Sequence, residues 1–408
     1  MKTIAAASAA VLSLFSIAGC TGGTPQETGA RDQQVVVEGN NRFAFELYGR
    51  LRGQEGNLFF SPFSISTALA MAYAGARGGT ETEMAEVLRF TLKQDRLHPA
   101  LAALIDDLSA GTKRDSLQLS VANALWGQKG FGFLKGFRGL VQTHYGARLE
   151  KVDFAGATES ARLTINRWAA DRTEGKIRDL IQPGILDELT RLVLANAIYF
   201  KGDWAAPFKK EGTANDLFTL AAGAGGGKIE APMMNRTGSF GYLEDEILQV
   251  LTLPYAGNRL VMVVLLPKRI DGLHALEDSL TAASLASWLE RQRPRKVEVF
   301  LPRFKMTCGF SLADVLVSMG MAEPFTPGAA DFSGMDGKRD LFISAVVHKA
   351  FVDVNEERTE AAAATVVYKE LGVPLIPVFR ADHPFLFLIQ DVRTNSVLFI
   401  GRVMNPKV

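Results

Sequence analysis

Segments with helical periodicity come before buried strand segments in this chain, and that order restricts the folds it can adopt. Ser61-Pro62 opens a helix with proline in the first turn, and Leu163–Ile181 has apolar residues at helical spacing. Leu192–Phe200 and Leu260–Leu266, further along, are short and almost wholly apolar, which is typical of buried strands. Helices early and strands late predict an α+β architecture.

Composition excludes several classes of protein. The 408 residues are 47% apolar and 22% charged, which is ordinary for a folded domain and unlike a disordered or polytopic membrane chain. The net charge is +1, so no strong overall field favours nucleic acid or an anionic membrane surface. Two cysteines exclude a disulfide framework. Ala221–Lys228 is flanked closely by apolar segments, so we expect a loop there and a single domain over residues 35–408.

The N-terminal residues indicate export. Lys2 precedes the apolar stretch Ile4–Ile17, which is too short for a membrane span of about 20 residues and fits a secretory signal. Ile17–Cys20 resembles a bacterial lipobox, in which the cysteine is acylated and becomes the new N-terminus. The alternative is an ordinary cleaved signal with a chance cysteine. We expect a lipoprotein signal peptide over residues 1–19, lipidation at Cys20 and a flexible tether over residues 20–34.

The lipobox resemblance also predicts a location. Thr21, in place of Asp, follows the cysteine, and by analogy this favours the bacterial outer membrane or cell surface. Acyl chains at Cys20 would be the protein's only contact with the membrane.

Each candidate enzyme motif lacks a residue that its chemistry requires. Gly223–Lys228 is like a phosphate loop, but Ile229 stands where Ser or Thr must hold Mg²⁺. Gly309–Ala313 lacks the second glycine of a nucleophile elbow. Asp331–Gly337 lacks the alternating ligands of a calcium loop, and Cys308 is interpreted as a small apolar residue. We therefore expect no catalytic residues, metal or cofactor.

One segment does not fit ordinary secondary structure. Leu341–Asn355 alternates like a strand and runs into Glu356–Thr365, where four alanines are flanked by threonines. Pro374 and Pro377 break any helix beyond it. Small, β-capable residues bounded by prolines suit a long exposed loop. Their small side chains would also allow the loop to insert between two strands of a sheet. An alanine-rich helix cap and linker is the alternative.

Segments throughout the chain resemble the serpins, the serine protease inhibitors. They occur in the family's order: Asn57–Met84, Leu192–Trp204, Ala330–Met335, Ser344–Glu356, Asn355–Thr365 and His383–Ile389. The resemblance implies one domain of three β-sheets with eight or nine helices and an exposed reactive-centre loop. With the lipobox, it implies a bacterial member of the family.

The resemblance also implies a mechanism. A target serine protease attacks the loop and forms an acyl-enzyme, and the loop then inserts into the main sheet before hydrolysis. The inhibitor is consumed and is not an enzyme. A papain-like cysteine protease is a second candidate partner. No nucleic acid partner is expected, and the chain is expected to be a monomer.

Functional residues follow from the matching motifs. The implied hinge of the loop consists of Glu356, Glu357, Arg358, Thr359, Glu360, Ala361, Ala362, Ala363, Ala364 and Thr365. Ser61, Ser64, Asn196 and His348 are expected to form a hydrogen-bonded cluster under the main sheet. Trp204 is expected at the top of that sheet, where insertion starts.

If the hinge inserts as a strand, its side chains point alternately to the two faces of the sheet, and one set points inward to the core. If Thr359 points inward, so do Ala361, Ala363, Thr365 and Val367, which are all small or β-branched. Arg358 departs from the family, which usually has Gly there, and Lys369 also falls on the inward set. These departures leave a non-inhibitory, serpin-fold binding protein as the alternative function.

Family spacing indicates the scissile bond. The fourteenth residue counted from Thr359 is Gly372, which gives the bond Gly372–Val373, with Leu371–Gly372 as the second choice. Counting back from Pro384 instead makes Val373 the cleaved residue, so that the bond would be Val373–Pro374. Proline directly after the cleaved residue is a poor leaving group for most serine proteases, because it lacks an N–H and has a fixed φ. None of these residues is basic. We therefore expect inhibition of elastase-, subtilisin- or chymotrypsin-like proteases and not of trypsin-like ones.

Overall fold

A computed structural model describes residues 25–112, 117–221, 226–356 and 376–407. The α-helices are α1 (Pro25–Leu51), α2 (Pro62–Tyr73), α3 (Gly78–Leu88), α4 (Gln94–Thr112), α5 (Lys135–Tyr145), α6 (Phe154–Arg172), α7 (Leu273–Ser279), α8 (Ala282–Arg291), α9 (Ala313–Ser318) and α10 (Ser333–Asp336). The strands are β1 (Leu58–Phe60), β2 (Leu117–Gln128), β3 (Leu149–Val152), β4 (Leu192–Gly202), β5 (Ala214–Thr219), β6 (Lys228–Glu244), β7 (Leu248–Pro254), β8 (Leu260–Pro267), β9 (Arg293–Pro302), β10 (Phe304–Ser311), β11 (Ile343–Val354), β12 (Val378–Arg380), β13 (Phe385–Asp391) and β14 (Val397–Val403).

The smaller sheet has five strands in the order β10-β11-β4-β2-β3. Its two central strands, β4 and β11, are parallel, and each has an antiparallel neighbour on its other side. Both faces of the sheet are covered, because α2 packs on one and α6 on the other. This explains why the Leu192–Phe200 run is apolar on both faces, except at Asn196, rather than alternating.

The expected α+β fold class is confirmed, but the strands are grouped differently. Nine strands form one hydrogen-bonded sheet in the order β1-β14-β13-β8-β7-β6-β9-β12, with β5 paired to β6. The 17-residue β6 pairs with β5, β7 and β9, so it joins what would otherwise be two separate sheets. The described residues therefore form two sheets and ten α-helices, where three sheets and eight or nine helices were expected.

The tether expected over residues 20–34 is wrong for residues 25–34, because α1 begins at Pro25. Asp32 is buried and accepts a hydrogen bond from Arg96 Nε of α4 at 3.0 Å. Proline is favourable in a first helical turn, and the ion pair fixes this part of α1 against α4. Residues 1–19 and Cys20 lie outside the described residues.

Helix α6 ends at Arg172, earlier than the apolar pattern predicts. Glu174 and Gly175 have φ values of 51° and 72°, in the left-handed region that stops a helix. Ile177 and Leu180 are nevertheless buried in the segment that follows, packed with α6. Helical spacing and burial coincide here without a helix.

Candidate functional site

The central feature of the smaller sheet is the boundary between β4 and β11, here called the seam. The two strands are paired from Leu192 and Ile343 at one end to Lys201 and Asp353 at the other. Because β11 leads directly into the expected hinge, the chain leaves the sheet at the upper end of the seam. No described strand lies between β4 and β11.

The N-terminus of α2 lies beneath the seam. Ser61 caps the helix, and its Oγ accepts a hydrogen bond from the Ser64 N–H at 3.1 Å. The Ser61 hydroxyl donates to the Leu398 carbonyl at 2.7 Å, and its N–H donates to His348 Nε2 at 3.2 Å. Because Nε2 accepts, the His348 proton is assigned to Nδ1. The Ser-Pro signal in the sequence thus places a polar helix end against a buried histidine.

Polar side chains cross the seam at one level. His348 of β11 and Asn196 of β4 are direct register partners, and His348 Nδ1 donates to Asn196 Oδ1. The Asn196 amide in turn donates to Ser64 Oγ and to Asn123 Oδ1. The structure therefore brings together the four predicted cluster residues and adds Asn123 of β2. Sequence analysis missed Asn123, because one asparagine in an alternating strand carries no distinctive signal.

The cluster holds a neutral imidazole. His348 is 1% exposed, and burial lowers the pKa of its imidazole from 6.5 to about 3. His98 is also buried, and its Nδ1 lies 2.6 Å from the hydroxyl oxygen of Tyr145. The pKa of this imidazole is lowered to about 4, chiefly by burial. Both rings are neutral in the folded protein at physiological pH.

These two histidines predict acid sensitivity. The unfolded chain binds their protons near pH 6.5, whereas the folded protein resists protonation until about pH 4 or 3. Their contribution to stability is therefore complete above about pH 6.5 and is lost as the pH falls toward 3. For His348 the loss is at most about 5 kcal/mol.

Urea unfolding between about pH 7 and pH 4 measures this loss. The free energy of unfolding is expected to fall steadily over that range. A His274→Gln variant is the control, since that side chain is 79% exposed, and it should show the same fall. A wild-type protein with constant stability over this range contradicts the prediction.

Trp204 lies apart from the cluster, at the upper end of the seam. Its indole Nε1 donates to the Asn355 carbonyl at 2.8 Å, and its ring stacks on Tyr255 with centroids 4.6 Å apart. Asn355 directly follows the end of β11. Trp204 is thus bonded to the backbone from which the hinge departs.

Glu356 is the one hinge residue among those described. It is 4% exposed, and its carboxylate accepts a hydrogen bond from the Thr213 hydroxyl at 2.8 Å. Arg303 lies 3.6 Å from the same carboxylate. Sequence analysis missed Thr213 and Arg303, because both are far from Glu356 in the chain and neither belongs to a motif.

The remaining predicted residues lie outside the described residues. These are Cys20, the hinge residues 357–365 and the scissile-bond candidates Leu371, Gly372 and Val373.

Three further properties of the described residues bear on function. No group of three or more His, Cys, Asp or Glu side chains in that part of the chain is arranged to hold a metal ion. Cys308 lies in β10, and burial raises the pKa of its thiol to about 11, so it is a poor nucleophile. Among the same residues, no helix has the length and apolar character needed to cross a membrane.

Comparison with known proteins agrees with this architecture. The family model for serpins (serine protease inhibitors) matches residues 38–406. Serpin B6 of Macaca fascicularis is 43% identical over 379 residues, covering 91% of this chain and 100% of that protein. Human leukocyte elastase inhibitor is 42% identical over 383 residues, with the same coverage. An uncharacterized serpin-like protein of Thermococcus kodakarensis is 42% identical over 379 residues, covering 92% of this chain and 87% of that protein.

A solved structure supports the same assignment. The crystal structure of uncleaved ovalbumin matches with a TM-score of 0.83 and 33% identity, over 91% of this chain and 100% of that chain. The chain therefore belongs to the serpin family of serine protease inhibitors.

Proposed function

We propose that this serpin is a suicide inhibitor of elastase-, subtilisin- or chymotrypsin-like serine proteases, which it traps by inserting its reactive loop at the seam. The observation that carries the proposal is the parallel pair β4–β11 at the centre of the sheet, with the hinge leaving at its upper end. A chain that turns back after β11 would run antiparallel to both strands, which is the arrangement a new central strand needs.

Sheet energetics favour such an insertion. Parallel pairing is slightly less stable per residue than antiparallel pairing. One parallel boundary, β4–β11, would be replaced by two antiparallel boundaries, and the small side chains of the hinge would be buried between α2 and α6. The native sheet is then metastable, and cleavage of the loop releases the strand that completes it.

The residue of β11 opposite each residue of the inserted strand follows from where the chain reverses. If the chain reverses over residues 355–358, Thr359 pairs opposite Val354 of β11. Thr365 then falls opposite His348, and Gly372 falls opposite Leu341, beyond the lower end of the seam. On this register Thr365 would replace the His348–Asn196 contact with its own hydroxyl, so the cluster would keep hydrogen-bond partners after the strands separate.

Insertion also explains how the protease is disabled. About 14 inserted residues at roughly 3.3 Å each carry the acyl-linked protease about 45 Å to the opposite pole. Its active site is distorted there, so hydrolysis of the acyl bond stalls.

The upper end of the seam would restrain insertion until cleavage. The bond from Trp204 to the Asn355 carbonyl, and the contacts of Glu356 with Thr213 and Arg303, all hold the end of β11 in place. Because Glu356 is buried, separating it from both partners leaves a buried carboxylate that must find new ones. These contacts therefore oppose spontaneous opening.

Neither candidate bond has a basic residue at the cleaved position, which supports elastase-, subtilisin- or chymotrypsin-like targets over trypsin-like ones. A relative named for leukocyte elastase, 42% identical, agrees with an apolar or small residue at the cleaved position. We predict cleavage at Gly372–Val373, with Leu371–Gly372 as the second choice. Mass spectrometry of the C-terminal fragment distinguishes them, because the fragment begins at Val373 or at Gly372. A fragment beginning at Glu370, together with a stable trypsin complex, overturns the class assignment.

Arg358 and Lys369 favour the alternative, a non-inhibitory binding protein. Arg358 replaces a flexible glycine near the bend, and Lys369 would place a charge on the inward set. An SDS-stable complex in a screen of trypsin-, chymotrypsin-, elastase- and subtilisin-like proteases supports inhibition. Cleavage by all of them without any stable complex, and without a gain in thermal stability after cleavage, supports the alternative.

We further propose that the protein is exported and lipid-anchored at Cys20 to the outer membrane or cell surface. Wild-type protein is expected in the membrane fraction, with a mature N-terminus at Cys20. Cys20→Ser should release it or block its processing, because no acyl chain can then be attached. Recovery of all wild-type protein in the soluble periplasm or the medium contradicts the anchor.

A further inference from the structure

The lower end of the seam, opposite the hinge, includes the connection from β2 to α5. The Gln128 N–H at the end of β2 donates to the Arg191 carbonyl at 2.9 Å, directly before β4 begins. The Leu134 N–H donates to the Met335 carbonyl at 2.7 Å, in α10, the last helix before β11. Residues 129–134 therefore lie at the end of the sheet where both seam strands start.

The sequence around this connection is one-sided in charge. From Lys129 to Leu149 the chain has four Lys or Arg residues and no Asp or Glu, although the whole chain is almost neutral. Lys135 and Arg138 stand in the first turn of α5, which contains no acid. Because a helix N-terminus favours acidic side chains, helix stability does not account for these two cations.

The cations at this end face solvent. Leu134, in the middle of the connection, is 43% exposed, so an apolar side chain is exposed among them. Four exposed side chains make no hydrogen bond or ion pair with another described residue: Lys129, Lys135, Arg138 and Lys338. These four cations and Leu134 are here called the lower patch.

Nearby acids do not cancel the positive charge. Residues 129–138 and 331–340 together contain five Lys or Arg and three Asp residues. Asp331 is buried and lies 2.8 Å from Arg339. Asp336 is half-buried, so Asp340 is the one exposed acid in these two segments.

The first turns of α1 lie at the same end of the domain. Asp32 is paired with the first turn of α4. Gln94, which begins α4, donates to the Tyr73 carbonyl at 3.1 Å, where α2 ends. Two residues further on, the Gly75 carbonyl accepts a hydrogen bond from the Gly334 N–H of α10 at 3.1 Å. These contacts place the start of α1 beside the helix that precedes β11.

Under the proposed anchor, the lower end therefore faces the membrane. Cys20 is five residues before Pro25, so the linking chain spans at most about 18 Å. The hinge is at the other end of β11, a strand of 12 residues, and so lies about 40 Å further from the lipid.

We propose that the lower patch docks onto the anionic lipid headgroups of that membrane. The choice of lipid as the partner rests on the proposed anchor, and docking adds a second membrane contact that the near-neutral net charge did not predict. Each Lys or Arg near an anionic bilayer strengthens binding about fivefold, and such a patch supplies the second signal that a lipid anchor needs for stable attachment. Docking would hold the hinge outward. Because a trapped protease would arrive at this same end, complex formation would displace the patch from the lipid.

Vesicle sedimentation tests the proposal on the mature chain from residue 20 onward, made with Cys20→Ser so that no acyl chain contributes. Phosphatidylcholine vesicles with about 30% phosphatidylglycerol should bind it, pure phosphatidylcholine vesicles should not, and added salt should weaken the binding. Lys135→Ala combined with Arg138→Ala should weaken binding about 25-fold. Lys209→Ala combined with Lys210→Ala, an exposed pair near the upper end, is the matched control and should bind like the wild type.

The outcomes separate docking from the anchor. Equal binding of the wild type and the Lys135 and Arg138 double variant overturns the proposal, and so does the absence of binding to the anionic vesicles. Binding to dextran sulfate but not to vesicles indicates a site for soluble polyanions and also contradicts it. Fractionation of the wild-type protein tests the anchor by itself, so either proposal can fail without the other.

Discussion

Thr359→Arg is expected to convert the inhibitor into a substrate. On the proposed register Thr359 is the first inward residue of the inserted strand, opposite Val354, which is buried. Burying an arginine there without a partner costs several kcal/mol, so insertion slows while hydrolysis of the acyl-enzyme continues. Each 1.4 kcal/mol added to the insertion barrier shifts the partition about tenfold. We expect the SDS-stable complex to disappear while the loop is still cleaved.

The alternation of the hinge supplies a matched control. Glu360 follows Thr359 and points to the other face of the inserted strand, where on the proposed register it lies opposite Asp353, a partly exposed side chain that pairs with Lys305. Glu360→Arg introduces the same side chain one residue away and should keep the stable complex. Equal behaviour of the two variants in a titration against a susceptible protease contradicts insertion in this register. Loss of complex only with Thr359→Arg supports it.

His348→Ala has the second large expected effect. The substitution removes the acceptor of the Ser61 N–H and the donor to Asn196, and it leaves a cavity under the seam. Lost hydrogen bonds and a cavity together cost about 3 kcal/mol. Because His348 joins β11 to β4 and to α2, the seam should also open more readily. We therefore expect a lower thermal unfolding midpoint and loop–sheet polymers on native gels.

A matched variant separates this effect from the loss of a histidine in general. His274→Ala removes an imidazole that is 79% exposed, at the start of α7. It should unfold like the wild type and remain monomeric. If His348→Ala shows an unchanged midpoint and forms no polymers on prolonged incubation, the cluster does not hold the seam together.

Local sequence determined the parts of this fold that depend on near neighbours. Ser61 followed by Pro62 specified the start of α2, because a capping hydroxyl and a proline suit the first turn of a helix. The apolar run from Leu192 specified a buried strand. His348 lay within a recognisable motif, so its membership of a buried cluster could be predicted from the sequence.

The tertiary structure decided which distant residues meet. Asn123 joins His348 and Asn196 only because the register of β2 against β4 places it at their level. Arg303 and Thr213 reach Glu356 through strand pairing and loop packing across the chain. The long β6 merged two expected sheets, and Asp32 paired with Arg96 within an expected tether. Local patterns record which face of an element is buried, whereas register and packing between distant elements arise only when the whole core forms, so no short window of sequence contains them.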